Sequence, residues 1–126
     1  MKILCKEKTK NIVKEEINTS VIDNDINNIF CVYCNNHITN IDFQIQVNGS
    51  HKHVFANPHG IVFEIGCFKE AVGCLPLQGS SQEFSWFSGY SWKVAVCSNC
   101  LNHNGWLFIS NNNSFFGLIL EKIYYN

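Results

Sequence analysis

Not one of the 126 residues is an arginine. The basic charge present is nine lysines against ten acidic residues, for a net charge of −1. Five of those lysines, Lys2, Lys6, Lys8, Lys10 and Lys14, fall within the first fourteen positions. A nucleic-acid binder presents a basic stripe and favours arginine for phosphate and guanine contacts. The remainder of the chain has neither, so nucleic acid is not expected as a partner. Long apolar runs are missing as well. Uncharged apolar stretches such as Phe115 to Leu120 are far too short to span a bilayer. Met1 to Lys14 has no continuous apolar h-region of the kind a secretory signal needs. No membrane partner and a cytoplasmic location are therefore the expectation. After residue 30 no convincing segment of helical period appears, which leaves a mainly β, antiparallel domain.

What is present fits one globular domain, with 46% hydrophobic and 13% aromatic residues. Residues 1–26 are polar and charged and read as a poorly ordered arm, with a short helix around Ile12 to Ile17 as the alternative. Residues 27–126 read as the domain. Phe43, Ile45 and Val47 alternate with polar neighbours, the period-two mark of a strand. Further strands are predicted over His51 to Ala56, Ile61 to Phe68 (with a kink at Gly66), Trp92 to Cys97, Trp106 to Ile109 and Phe116 to Ile123. Asn57-Pro58-His59-Gly60 is a strong turn signal. Gly73 to Gly89 reads as one long loop.

Seven cysteines occur, at positions 5, 31, 34, 67, 74, 97 and 100. An odd count in a chain with no visible signal peptide argues against a disulfide framework. The three Asn-X-Ser/Thr sequons, at Asn18, Asn48 and Asn112, are put down to chance in so asparagine-rich a sequence. Cys31-Val-Tyr-Cys34 and Cys97-Ser-Asn-Cys100 are CxxC knuckles, whose spacing lets a tight turn aim two sulfurs at one ion. Two such turns complete a tetrahedral all-sulfur set, and soft thiolates select zinc over magnesium or calcium. With four sulfurs no position remains open for a catalytic water, so one structural Zn2+ is predicted on Cys31, Cys34, Cys97 and Cys100. Sixty-two residues separate the knuckles, so most of the β core must lie between them. His103 follows closely but is not needed as a ligand. Cys67 reads as a small core residue. His51 and His53 share a strand face without an acidic partner.

All three tryptophans, Trp86, Trp92 and Trp106, fall within 21 residues. Trp86 lies in a Ser-Trp-Phe-Ser-Gly-Tyr loop, and Trp92 and Trp106 flank the second knuckle. Antiparallel pairing about that knuckle brings the two indoles together with the Trp86 loop above them. On chemistry alone the trio serves equally as ordinary core or as an aromatic box for a flat ring or a cation.

The segment Glu83-Phe84-Ser85-Trp86-Phe87-Ser88-Gly89-Tyr90-Ser91-Trp92, then Cys97-Ser98-Asn99-Cys100 and Asn102-His103-Asn104-Gly105-Trp106-Leu107-Phe108, resembles the CULT family, the thalidomide-binding domain of cereblon. Asn57 to Glu64 and Phe116-Gly117-Leu118 resemble it too, and the likeness runs from about Ile29 to Tyr124. It implies a β-tent fold of two antiparallel sheets with zinc near the apex. It implies a non-catalytic module whose Trp86, Trp92 and Trp106 cage a cyclic imide: a glutarimide of the thalidomide type, a uracil-like ring or a C-terminal cyclic imide. By the same resemblance Phe108 is the cage floor, Asn57 stands near its rim, Phe84 and Trp86 offer backbone groups to the imide edge, and Ser85 between them counts among the ligand-binding residues. Phe84 stands where animal cereblons have histidine, which removes one side-chain hydrogen bond. Ile61 stands where tyrosine is common. The Lon-like domain through which cereblon joins a ubiquitin ligase has no counterpart in this sequence, so adaptor function does not carry over, and a monomer is expected. Two other readings stay open. Methionine sulfoxide reductases share paired CxxC knuckles but need a nucleophilic cysteine on a late strand, and none follows Cys100. A methyl-lysine cage would use Glu83 as its carboxylate.

Overall fold

A computed structural model describes residues 27–125 and places nine β-strands and two single-turn 3-10 helices among them. The predicted arm, its alternative helix, Cys5 and the Asn18 sequon lie outside the described residues. The strands are β1 (Asn28–Cys31), β2 (His37–Asn40), β3 (Lys52–Ala56), β4 (Val62–Phe68) and β5 (Cys74–Pro76). They continue with β6 (Ser91–Cys97), β7 (His103–Ile109), β8 (Ser114–Ile119) and β9 (Ile123–Tyr125). They make two antiparallel sheets: three strands in the order β9-β1-β2, and six in the order β3-β4-β8-β7-β6-β5. The mainly β, two-sheet expectation is met.

Side-chain pattern explains which strand sits where. β3 alternates half-buried His53 and Phe55 with exposed Lys52, Val54 and Ala56, as an edge strand with one covered face should. β4 starts exposed at Val62 and ends fully buried from Ile65 to Phe68, because its second half passes between β3 and β8. Gly66 interrupts nothing; it is paired to Lys52 on one side and Leu118 on the other. The core falls into two clusters. One gathers Ile29, Ile38, Phe68, Ala71, Ala95, Leu118 and Ile123 beside the knuckles. The other is aromatic, built on Phe87, Trp106, Phe108 and Phe115 with Ile65 and Ile119. Phe87, 1% exposed, sits edge-on to Phe108 at 4.8 Å and Phe115 at 5.0 Å. Edge-to-face contacts of this kind add about 0.5–1.5 kcal/mol each beyond area burial. Phe87 thus plants the loop that carries Trp86 into the core.

Three sequence expectations need correction. The strand predicted over Phe43 to Val47 begins instead as a 3-10 turn, Ile41–Phe43, capped by the Asn40 side chain on the Asp42 amide at 2.8 Å. Its alternation is that of an extended segment: Ile45 and Val47 pack on the aromatic cluster, with only isolated bridges Gln44–Phe68 and Val47–Ser50. The single strand predicted over Phe116 to Ile123 is two. The 3-10 turn Leu120–Lys122 breaks it, and Ile123–Tyr125 crosses to the smaller sheet beside β1. The loop Gly73 to Gly89 contains β5, an edge strand that tolerates Pro76 because an edge leaves one side of its ladder unpaired.

Candidate functional site

The two knuckles are built alike. In the first, the Asn35 amide donates to the Cys31 carbonyl at 2.9 Å and the Cys31 amide to the Asn36 carbonyl at 2.9 Å. In the second, Leu101 donates to Cys97 at 2.8 Å and Cys97 to Asn102 at 2.9 Å. Both turns pass through the left-handed region at the fifth residue, Asn35 at φ 64° and Leu101 at φ 66°. β1 delivers the first knuckle and the β6–β7 hairpin turn is the second. All four predicted sulfurs come together, each within 4.8 Å of the others. Cys31 Sγ lies 3.8 Å from Cys100 Sγ and Cys34 Sγ lies 3.6 Å from Cys97 Sγ. A tetrahedral ion with metal–sulfur bonds of about 2.3 Å spaces its sulfurs by about 3.8 Å. Two of the sulfur pairs match that spacing, and the quartet lies close enough together to hold a metal ion.

The sulfurs are electrostatically unequal. A hydrogen bond from the Asn102 side chain, helped by its backbone amide, draws the Cys100 thiol down to about 6. Asn99 beside Cys34 lowers that thiol as well. Burial pushes Cys31 up to about 12 against the backbone amides of Tyr33 and Cys34. Cys67 and Cys74 are each pushed up to about 12 by burial, which keeps them as inert thiols.

One end of the large sheet opens on a cavity of about 500 Å3. Its lining includes Asn57, Phe84, Trp86, Trp92, Trp106 and Phe108, six of the seven side chains singled out in the sequence. The pairing registers explain the convergence. Trp92 pairs with Phe108 and Val94 with Trp106 across β6 and β7, so all four share one face. Trp86 comes over that face from the Phe87-anchored loop, edge-on to Trp106 at 4.7 Å and stacked on Phe55 at 5.0 Å. Trp92 and Trp86 are held by their indole N–H groups, which donate to the Glu83 carbonyl at 2.8 Å and the Ala56 carbonyl at 3.2 Å. Trp106 is 9% exposed, belonging to the core and to the cavity wall at once.

Ser85 is not in the lining. Its hydroxyl donates to the Phe87 carbonyl at 3.0 Å and serves the loop's own turn. Asn57 lines the cavity, and its side-chain oxygen already accepts from the His59 and Ile61 amides at 3.0 and 2.9 Å. Phe84 is 72% exposed and sits at φ 56°, a left-handed conformation unusual for a large residue. Among the described residues, no hydrogen bond engages the Phe84 amide or carbonyl or the Trp86 amide.

Phe63, Val94 and His103 also line the cavity, and sequence reasoning did not place them there. Phe63 packs edge-on to Trp106 at 5.1 Å, and His103 does so at 4.8 Å while its Nε2 meets the Gly105 carbonyl at 2.9 Å. Burial lowers the His103 pKa, so its ring is neutral at pH 7. The alternation Val62-Phe63-Glu64 and the two-residue step from Val94 to Trp92 carry that signal.

No family model matches the chain. It is similar to several curated cereblons. The cereblon of Gallus gallus is 46% identical over 55 residues, 43% of this chain and 12% of that protein. The cereblon of Drosophila simulans is 32% identical over 98 residues, 71% of this chain and 16% of that protein. That of Drosophila melanogaster is 31% identical over 83 residues, 63% of this chain and 14% of that protein. The chain therefore spans only a small part of the length of these relatives. Matches of this extent, onto a two-sheet β fold with the four-cysteine cluster, show that the chain carries a cereblon-like domain.

Proposed function

We propose that this domain is a non-catalytic binding module that takes a cyclic imide into the tryptophan-lined cavity, with a structural zinc ion on the four cysteines. The observation that carries the reading is the pairing of apolar indole walls with an idle strip of backbone at Phe84 and Trp86. An imide edge reads acceptor, donor, acceptor. The Phe84 carbonyl complements its N–H, and flanking amides complement its carbonyls. The volume lies within the usual range for small-ligand sites, about 300–1,000 Å3. A glutarimide ring of about eight heavy atoms, at about 1 kcal/mol each, reaches about −8 kcal/mol, a Kd of about 1 μM. Glutarimide drugs, uracil-like rings and C-terminal cyclic imides share this edge. For the metal, four thiolates in closed tetrahedral array favour zinc, which here contributes folding energy and no chemistry.

No helix among the described residues is long and apolar enough to cross a membrane. A monomer in the cytoplasm, without nucleic-acid or membrane partners, completes the proposal. Titrating thalidomide while following tryptophan fluorescence, with Trp106→Ala as control, tests the reading. Saturation in the micromolar range, lost in the variant, is expected; the absence of any saturable change would sink it. A second reading has one supporting observation: Glu83 lines the cavity beside the indoles, as a site for methylated lysine would require. Competition by trimethyl-lysine but not by a neutral imide would favour it.

A further inference from the structure

The two knuckles share one feature that their backbone does not require. Each has asparagine five residues after its first cysteine, Asn36 and Asn102. At both positions the turn uses only backbone groups, the carbonyl accepting from the Cys31 or Cys97 amide and the residue's own amide facing the Cys34 or Cys100 sulfur, so any residue but proline would serve. The side chains do something else. Asn36 Nδ2 reaches across to the opposite knuckle, 3.6 Å from Cys97 Sγ and 3.3 Å from Ser98 Oγ. Asn102 Nδ2 lies 3.3 Å from Cys100 Sγ in its own knuckle. One carboxamide therefore bridges the two halves of the quartet, and the other faces its solvent-exposed corner.

We propose that Asn36 and Asn102 are the positioning residues of the metal centre, holding Cys97 and Cys100 by N–H···S hydrogen bonds and so governing how long the ion is retained. This rests on the quartet being a metal site. A hydrogen bond donated to a metal-bound thiolate withdraws charge from sulfur and fixes its lone pairs, which restrains both ligand dissociation and attack by a competing chelator. Outer partners of this kind are worth about ten- to a hundredfold in metal affinity. Asn36 has a further effect, because it links segments 61 residues apart and aligns the second knuckle before the ion arrives.

The test uses the full chain, zinc-loaded, with transfer to a colorimetric chelator followed in time and metal content checked by native mass spectrometry. Asn36→Ala and Asn102→Ala are compared with wild type and with Asn111→Ala, a remote exposed control. Release about tenfold faster or more is expected in both variants and unchanged in the control. Asn102 is exposed, so its truncation disturbs no core and keeps the test readable should Asn36→Ala fold poorly. Asn102→Asp keeps the shape and the backbone amide but loses the side-chain N–H, and should release as fast as the alanine variant. In cobalt-substituted protein the sulfur-to-cobalt charge-transfer band should move to lower energy when the donor is lost. Wild-type chain that holds no metal removes the metal reading and this proposal together. Wild-type chain with one bound ion, but variants within twofold of its rate, an unmoved cobalt band or rescue by Asp, overturns the proposal alone.

Discussion

Replacing Gly105 by alanine should be the most damaging single-methyl addition in the large sheet. Gly105 pairs with Ala95 on one side and Leu118 on the other. A Cβ there would lie 2.3 Å from the Gly117 carbonyl oxygen and 3.0 Å from the Leu118 Cα, both backbone atoms of β8. β8 is itself paired on its far side to β4, so it has nowhere to retreat. Restoring an ordinary contact demands about 1 Å of separation between β7 and β8. Overpacking costs about 1–3 kcal/mol, and each ladder hydrogen bond that stretches adds about 1 kcal/mol. A loss of about 3 kcal/mol or more follows.

Two other glycines calibrate the figure. At Gly117 the new Cβ would meet Ile65 Cδ1 and Phe108 Cε2 at 2.9 Å, side-chain atoms that can rotate or tilt, so Gly117→Ala should cost about 1–2 kcal/mol. Gly60 has open space around it but φ +84°, so Gly60→Ala should cost about 1 kcal/mol from backbone conformation alone. For a domain of this size 1 kcal/mol moves Tm by about 4–8 °C, which predicts a fall of about 12 °C or more for Gly105→Ala. Calorimetry on the three variants, zinc-saturated, measures the order. If Gly105→Ala melts within a few degrees of wild type, or above Gly60→Ala, the close approach of β7 and β8 does not constrain this fold.

Stripping the metal with a chelator should lower stability by about 4 kcal/mol, the entropy of closing a loop of some sixty residues, and Tm by about 15 °C or more. A melt unchanged by chelation would mean that the quartet does not cross-link the domain. Acidification should also destabilise the protein through His103. Its folded pKa lies below the usual value, so the unfolded chain binds the proton first; the contribution is complete above about pH 6.5 and declines as pH falls below it. Denaturant midpoints at pH 7.5 and 5.5, in excess metal, should differ less in His103→Gln than in wild type; equal slopes would refute this.

The metal quartet was legible because CxxC is a local geometric instruction, and Cys31, Cys34, Cys97 and Cys100 meet as their spacing requires. Strands β3, β4 and β6 were legible because their alternation or apolar content is long enough to exceed chance. β1, β2 and β5 were not, since strands of three or four residues exist by virtue of their partners, such as Ile29 against Tyr125 at the far end of the chain. The 3-10 break at Leu120 was hidden for a related reason: apart from Glu121 and Lys122, Phe116 to Ile123 is apolar on both sides of the turn because it serves two sheets in succession. At the cavity, a loop sequence announced Trp86 but could not tell that Ser85 would turn inward to Phe87 while Phe84 turned out.

The separation of the core into two clusters bears on how far the metal governs the cavity. Cys31, Cys97 and their neighbours belong to one cluster, whereas Trp106, Phe108, Phe87 and the partly buried Trp86 and Trp92 belong to the other. The β6–β7 hairpin is the shared member: its turn is the second knuckle, and Val94–Trp106 and Trp92–Phe108 are pairs further along the same ladder. Between the knuckle and those pairs the register shifts at Ala95 and Val96, so the ladder is weakest there. Loosening the knuckle can therefore fray the hairpin as far as the shift before it reaches the indoles. Beyond that point β7 is held by β8, and the Trp86 loop by Phe87, without reference to the sulfurs. The metal acts on the cavity as the clamp on one end of a hairpin whose other end has an aromatic clamp of its own.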